Sequence, residues 1–306
     1  LTSLVSALIT TPRAEIAEAP GLAAALTRLG LDAAAAAATA IGADTAAIVN
    51  NTLLSVSPED DRAMPGLAQA IAAASLRWPD RILAVRGLLV DADAAKQLAR
   101  TAAGFCVPHR ISYAFTPGAP AKINAVRDAG LLAKAKLERI GHDDFDTARL
   151  AEARRQYLDV YVGRHGGRNP ALTADFFARL HAARAAEFIG LADDQGMAAF
   201  AAVRDHGAFL SVPLIGYRVA ADRKAGYYRQ MCARVLEVAG ARGLPVNFGA
   251  GAARYKTLRG GAPVIEYMVI VPPRDTWLGR ALRAALSRSE THLQRLVPRL
   301  IAAHGG

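Results

Sequence analysis

The chain has 306 residues and a formal net charge of +10, and 52% of its residues are hydrophobic. This length exceeds one small domain and suits two domains of ordinary size, each with enough apolar material for a packed core. The two cysteines, Cys106 and Cys232, are far apart, which excludes a disulfide framework and fits a reducing compartment. The positive net charge favours polyanionic partners such as RNA or nucleotides. Codon usage that enriches arginine would explain the same charge equally well.

The sequence gives little sign of a membrane span, a signal peptide or a metal site. No uninterrupted apolar stretch reaches transmembrane length. The segment 1–20 lacks a basic n-region, so we expect mature, cytoplasmic protein there and no signal peptide. The seven histidines show neither H-x-x-x-H nor H-x-H spacing, so we expect no metal site.

Helical and extended patterns alternate along the first part of the chain. Pro65 stands at the first position of a helical pattern, and Gly104 follows the end of another that Asp91 begins. The predicted helices are 21–40, 65–78, 91–104 and 123–140, and the predicted strands are the end of 45–56, 81–90 and 105–115. This alternation favours an α/β layer over residues 1–140.

A second unit is predicted from residue 141 to residue 306. Acidic residues open an amphipathic helix within 142–166, and another helix follows Pro170. Strands are predicted at 196–205 and 208–220, a long helix at 222–243, a strand running into glycines at 244–251, a short helix at 252–261 and a last strand at 262–271. A helix kinked by Pro298 completes the pattern.

The order of elements over 200–271 is strand, strand, helix, strand, glycines, short helix, strand. With the local sequences FLSVPLIGYR, GLPVNFGAGAARYKTLRGG and PVIEYMVIV, it resembles the GNAT acetyltransferase-like domain of double-domain enzymes, and more distantly the Fem-type aminoacyl transferases. RNPALTADFFARL is similar to the segment that precedes this core. The resemblance covers the C-terminal half, and the N-terminal half only by architecture. It implies a mixed sheet flanked by helices (α/β, or α+β), two tandem GNAT-like domains and an N-acyltransferase activity.

The glycine turn and the Tyr-Lys pair are the candidate catalytic elements. Acyl transfer to an amine passes through an oxyanion that needs fixed donors, and main-chain amides from Gly249 to Gly251 would supply them beside a helix N-terminus. The resemblance implies that Lys256 supports the oxyanion or the donor and that Tyr255 protonates the leaving group. Core packing of Tyr255 and solvation of Lys256 are the alternatives. The other predicted catalytic residues are Asn247 and Glu266, the latter as a buried base or as the partner of an arginine.

The loop 219–230 occupies the position where GNAT enzymes hold the pyrophosphate of their cofactor. It matches the expected glycine pattern only in part, which leaves acyl-CoA and aminoacyl-tRNA open as donors, and an ordinary charged helix start open as well. The predicted cofactor-binding residues are Tyr217, Arg218, Arg223, Lys224, Gly226, Tyr227, Gly249 and Gly251. The residues predicted to bind a small amine acceptor are Arg164, Arg168, Asn169 and Arg259. A non-catalytic member of the fold that binds RNA or protein is the remaining alternative.

Overall fold

A computed structural model describes residues 43–51, 59–163, 169–274 and, with gaps, 276–287, together with the isolated residues 32, 36, 39 and 54. Most of the helix predicted at 21–40 and the end of the predicted C-terminal helix therefore lie outside the described residues. The described residues form two compact units. The first contains those up to residue 53, those from 57 to 111 and those from 265 onwards, and the second contains residue 54 and 112–264. The predicted division after residue 140 stays a prediction.

Eight α-helices and nine strands have described bounds. The helices are α1 (Met64–Arg77), α2 (Ala92–Thr101), α3 (Ile123–Lys134), α4 (Thr147–Leu158), α5 (Ala174–Ala182), α6 (Val219–Ala225), α7 (Tyr227–Arg242) and α8 (Ala253–Thr257). The strands are β1 (Ala47–Ile48), β2 (Leu83–Leu88), β3 (Phe105–Phe115), β4 (Glu138–Ile140), β5 (Glu187–Asp193), β6 (Gly196–Asp205), β7 (Leu210–Tyr217), β8 (Val246–Asn247) and β9 (Ala262–Val271). A π-helical turn, Asp159–Gly163, continues α4.

In the first unit, β2 is parallel to β1 and antiparallel to β9, and β9 adjoins β3. The strands form a core with the apolar stripes of α1 and α2, because leucine and isoleucine recur there at helical spacing. Asp91 caps α2 as predicted, accepting hydrogen bonds from the amides of Asp93 and Ala94. After α2, a Cβ on Gly104 would lie 2.6 Å from the carbonyl oxygen of Ile270, so only glycine fits this approach.

In the second unit, the end of β3 pairs with β8, β8 is parallel to β7, and β7, β6, β5 and β4 follow in antiparallel order. Helices α4 and α5 cover one face over an aromatic core that contains the fully buried Phe177, Phe188 and Phe200. Adjacent rings of this core are 6.1 to 6.2 Å apart between centroids. Because each ring removes a large apolar area from water, this cluster stabilises the helix-on-sheet packing.

Several predicted elements are confirmed, three need correction, and one strand was not predicted. The predictions for α1, β2, α2, β3 and β9 agree with the structure to within a few residues. The segment 123–140 is not helical to its end, because Lys136 has φ 49° and the chain continues as the edge strand β4. The predicted helix 222–243 is interrupted at Gly226 (φ 70°) between α6 and α7. The strand predicted at 244–251 is only two residues long, and β5 was not predicted.

Candidate active site

The strands β7 and β8 part shortly after they meet. In their parallel register, Leu210 pairs with Val246 and Ser211 pairs with Asn247. β7 then continues to Tyr217, whereas β8 ends and Gly249, with φ 67°, turns the chain aside. In open sheets the crevice where parallel strands separate at their carboxyl ends is the usual ligand site. We call the region between 212–217 of β7 and the turn 248–252 the β7–β8 opening.

Lys256 holds the turn at the end of this opening. It lies on α8, is 4% exposed, and its Nζ donates to three carbonyl oxygens, those of Phe248 (2.9 Å), Gly249 (2.8 Å) and Ala250 (3.0 Å). The ammonium has three donors, so these bonds occupy all of them. The ammonium is therefore not solvated, and its bonds fix the turn.

The same bonds orient the amides of the turn. A planar trans peptide places its N–H opposite its C=O. Since three successive carbonyls point towards Lys256, the following N–H groups, of Gly249, Ala250 and Gly251, point away from it. The Gly249 amide donates to Oδ1 of Asn247 at 2.6 Å, so the predicted oxyanion donor at Gly249 is already occupied. Ala250 and Gly251 are exposed, and their amides are the donors that the turn presents outwards.

Asn247 is a structural part of this turn. Its side chain is 2% exposed, bonds the Gly249 amide on one side and donates from Nδ2 to the Ser112 hydroxyl at 3.1 Å on the other. A carboxamide that bonds the amide two residues ahead forms the local turn that asparagine favours. Its geometry therefore supports positioning of the turn.

Tyr255 lies on α8 in a buried polar cluster. Burial first of all, and then the neighbouring Cys232, raise the pKa of Tyr255 above its usual value, so its hydroxyl keeps its proton at neutral pH. The ring of Tyr228 is 5.0 Å away between centroids. Burial also raises the pKa of the Cys232 thiol to about 11, and this thiol hydrogen-bonds both tyrosines. A protonated thiol is a poor nucleophile, so the cluster offers a proton donor.

Asp128 joins three helices around that cluster. This residue of α3 is 3% exposed; its Oδ1 accepts from Nε of Arg229 on α7 at 2.6 Å, and its Oδ2 accepts from Nε of Arg259, just after α8. The Tyr255 hydroxyl lies 3.4 Å from Oδ2. The Arg259 guanidinium also stacks on Tyr255, with Cζ 3.6 Å from the ring centroid. Arg259, predicted to bind the acceptor, is thus engaged inside the protein.

In the loop 219–230 a carboxylate of the chain itself binds one amide of the α7 N-terminus. Residues 219–225 form α6, and the Asp222 carboxylate accepts a hydrogen bond from the Tyr228 amide at 2.8 Å in the first turn of α7. The Gly226 amide donates to the Asp222 carbonyl at 2.7 Å. A carboxylate at a helix N-terminus fills the position that an anion would take. Arg223 and Lys224 are exposed in the last turn of α6.

Two further predicted cofactor residues meet at one carboxylate. Arg218 donates from both Nη atoms to the two oxygens of Asp193, each at 3.0 Å, and the Tyr227 hydroxyl donates to Oδ2 at 2.6 Å. The bonds from Arg218 above all hold the pKa of Asp193 below its usual value, against the effect of burial. The Tyr217 ring packs 5.5 Å from that of Tyr228. These side chains bind each other and connect the ends of β5 and β7.

The remaining predicted residues are Glu266, Asn169, Arg164 and Arg168. Glu266 is fully buried in the first unit, where its Oε2 accepts from Nε of Arg110 at 2.6 Å, so the predicted arginine partner is the one observed. Asn169 donates from Nδ2 to the Tyr161 carbonyl at 3.0 Å. Arg164 and Arg168 lie outside the described residues.

Asp128, Asp193 and Asp222 were not predicted from the sequence. Asp128 carried one usable signal, because it shares the buried face of α3 with Leu132, four residues on. A carboxylate on an apolar stripe needs a buried partner. Across the described ranges no group of three or more His, Cys, Asp or Glu residues could hold a metal ion, and no helix there is long and apolar enough to cross a membrane.

A mixed sheet flanked by helices, with two parallel strands parting beside a helix N-terminus, defines a GNAT-type fold. Residues 132–257 match the model of the acetyltransferase (GNAT) domain family. This match bears out the predicted resemblance to the GNAT superfamily over that part of the chain. The search of the curated proteins found no match.

Solved structures show the same fold at low identity. The C-terminal domain of a lysylphosphatidylglycerol synthetase candidate from Agrobacterium fabrum is 13% identical with a TM-score of 0.53, over 74% of this chain and 78% of that one. L-PGS from Bacillus licheniformis is 11% identical, with a TM-score of 0.48 over 80% and 81% of the two chains. A tandem GNAT protein from the clavulanic acid biosynthesis pathway is 13% identical, with a TM-score of 0.38 over 68% and 70%. At these identities the first likeness supports a shared fold and no shared activity.

Proposed function

We propose that the GNAT domain transfers an acyl group from an activated ester or thioester to a small amine. The amine nitrogen attacks the carbonyl carbon, a C–N bond forms, and the C–O or C–S bond to the leaving group breaks. The amine loses one proton, and the leaving group takes one up. The observation that carries the proposal is the position of the half-buried Tyr255, a protonated phenol on the helix that follows the glycine turn.

Tyr255 is the proposed acid for the leaving group. A general acid must hold its proton until the bond to the leaving group breaks. The Tyr255 phenol is protonated at neutral pH; burial raises its pKa further, which keeps the proton in place and makes the phenol a weaker acid. A thiolate or alkoxide that departs into the β7–β8 opening would take the proton from its hydroxyl. Asp128 and Arg259 position the ring from two sides.

The amides of Ala250 and Gly251 are the proposed donors to the oxyanion. Fixed main-chain N–H groups stabilise a developing negative charge because they need no reorganisation during the reaction. Lys256 acts through them: its bonds to the three carbonyls fix the direction of the amides and polarise the peptides. Lys256 is thus a positioning residue in this scheme, in place of the direct role first predicted for it.

The α7 N-terminus bears on the choice of donor. GNAT domains typically take acyl-CoA, and the Asp222 carboxylate would compete with its pyrophosphate for the Tyr228 amide. An acyl-CoA donor requires Asp222 to move away. An aminoacyl ester at the 3′ end of tRNA needs no such site and suits the net charge of +10, and it is the second donor we put forward.

The test is a transfer assay with both donors. The full chain is incubated with radiolabelled acetyl-CoA or with radiolabelled aminoacyl-tRNA, together with a panel of primary amines, and the labelled amide is measured. We expect amide with one donor class and a rate at least 100-fold lower in Tyr255→Phe. Absence of amide with both donors, in protein that folds normally, would favour a binding role and overturn the proposal.

A further inference from the structure

The outer face of α3 carries exposed apolar side chains, although the opposite face of this helix is buried against the second unit. Ile123 is 61% exposed and Val126 is 53% exposed, three residues apart on the same side of the helix. Leu258, just after α8, is 44% exposed, and its carbonyl accepts a hydrogen bond from Nδ2 of Asn124, which places it beside the first turn of α3. Six large hydrophobic residues are exposed in the part of the chain that the structure describes, and three of them lie here.

The charged side chains exposed around these residues are all cations. They are Lys122, Arg127 and Lys134, at the start and on the outer side of α3, and Arg254, one turn before Leu258. None of these four makes an ion pair with a residue that the structure describes. The segments 112–134 and 250–261 contain one carboxylate, that of Asp128, which is 3% exposed and bound by two arginines. We call Ile123, Val126 and Leu258, together with these four cations, the α3 patch.

The stability of α3 does not explain this composition. Lys122 stands at the N-cap, its side chain bonds none of the first-turn amides, and no acidic residue follows in that turn. A cation at this end of a helix opposes the macrodipole, whose own positive end adds to the local potential. Ile123 and Val126 in turn leave more than half of their surface in water. The α3 patch therefore combines positive potential with apolar area that the packing of the second unit does not use.

The chemistry of the α3 patch selects among possible partners. A second copy of the chain would set the same cations against each other, which is unfavourable. Single-stranded nucleic acid would match the charge, but its bases stack on aromatic rings, and the apolar members of the patch are aliphatic. A protein partner needs close shape complementarity, whereas side chains as exposed as Ile123 and Val126 protrude from the helix. A deformable surface with negative charge and an apolar interior fits both properties.

We propose that the α3 patch binds the surface of a membrane that contains anionic lipids. Ile123, Val126 and Leu258 enter the boundary between headgroups and acyl chains, and the cations contact the negatively charged headgroups. The long stems of lysine and arginine keep their charged ends at headgroup level while the helix lies along the surface. The contact is peripheral, because no helix in the described ranges is long and apolar enough to cross a bilayer.

The test measures binding of the full chain to lipid vesicles by co-sedimentation, without any acyl donor. One set of vesicles contains one part phosphatidylserine to three parts phosphatidylcholine, and the matched set contains phosphatidylcholine alone. At low salt we expect binding to the anionic vesicles to be at least about tenfold stronger. Most of that difference should be lost at about 1 M salt, where charges are screened beyond about 3 Å.

Two pairs of substitutions separate the apolar part of the contact from the ionic part. Ile123→Gln with Val126→Gln removes aliphatic area and keeps the charge, whereas Lys122→Gln with Arg127→Gln removes two charges and keeps the aliphatic area. Each pair is expected to weaken binding to the anionic vesicles about tenfold. Glutamine is a good helix former, and all four side chains are exposed, so both variants should keep the circular dichroism spectrum of the wild type.

Leu76→Gln with Arg77→Gln is the matched control, because it removes one exposed aliphatic residue and one exposed cation from α1 in the first unit. This variant should bind the vesicles as the wild type does. Equal binding to the two kinds of vesicle overturns the inference. Unchanged binding in the Ile123 and Val126 pair also overturns it, since the contact would then depend on charge alone, as with RNA or an acidic protein. The assay involves no transfer step, so either result leaves the proposed function standing.

Discussion

The Asp222 carboxylate accepts a hydrogen bond from the Tyr228 amide at 2.8 Å, across the left-handed Gly226 that separates α6 from α7. The side chain thereby caps α7 from within the chain. A phosphate of a bound donor would need the same amide and would meet a negative charge beside it. Under the proposed function, this contact would compete with a donor phosphate for the α7 N-terminus.

Asp222→Ala should open the α7 N-terminus to a diphosphate. We expect acetyl-CoA to bind about tenfold more tightly to the variant than to the wild type, measured by calorimetry, since the competing carboxylate is gone. The lost cap should cost about 1 kcal/mol in urea unfolding. Asp194→Asn, in an exposed turn, is the control for a general change in charge. Equal affinity of acetyl-CoA for the wild type and for the variant would contradict this prediction.

Tyr255→Phe should lower kcat about 100-fold with little change in KM, because the substitution removes the proton donor and keeps the ring. Steady-state kinetics with whichever donor is active gives the measurement. Tyr267→Phe, a buried tyrosine of the first unit, is the matched control and should keep the wild-type rate. A Tyr255→Phe enzyme with the wild-type kcat would remove the assigned acid.

Lys256→Met should lower both the free energy of unfolding and the rate of acyl transfer. Methionine fills a similar volume but leaves the carbonyls of 248–250 without their donor, at about 3 kcal/mol in total. Urea unfolding followed by circular dichroism measures the change. Lys224→Met on the exposed face of α6 is the control, with a change below about 0.5 kcal/mol. If Lys256→Met keeps full stability, the turn does not depend on the ammonium.

Asp128→Asn should weaken the attachment of α3 to α7 and α8. Both guanidiniums lose their counter-charge, and Arg259 is the more buried of the two, with a side chain 13% exposed. We expect the free energy of unfolding to fall by about 2 kcal/mol. This is less than for a fully buried pair, because the Arg229 side chain is 43% exposed. Asp175→Asn, whose ion pair is exposed, should change the unfolding free energy much less. Equal losses in the two variants would contradict the joining role.

The first unit should lose stability in mild acid through His109. Burial first, and then the charges of Arg110 and Arg86, lower the pKa of His109 from 6.5 to about 3. As pH falls, the unfolded chain takes up a proton on His109 before the folded chain does. The free energy of unfolding therefore declines from about pH 6.5 towards about pH 3. Urea unfolding at pH 7 and pH 4.5 measures the decline, and His109→Gln should reduce it. An unchanged pH dependence in that variant would exclude His109 as the source.

Much of the local structure could be read from the sequence. The largely apolar segments of β2 and β9 predict buried strands, and Asp91 predicts the start of α2, because each signal lies within the segment that it determines. The glycine turn with the Tyr-Lys pair after it identified the GNAT-type core, and residues 132–257 match that family. The strand β5 was missed, since its acidic ends obscure a short apolar stretch.

The contacts of the candidate site residues depend on the tertiary structure. The sequence placed Lys256 near the turn, but only the fold directs its three protons to the carbonyls of 248–250 and so turns the amides outwards. Asp128 meets arginines 101 and 131 residues away in the sequence, and no local pattern encodes such a pairing. Charge, hydrophobic spacing and turn residues act over a few positions, so they predict most of the elements and the resemblance to a GNAT domain. The direction of a buried donor depends on packing between distant segments, and only the folded chain fixes it.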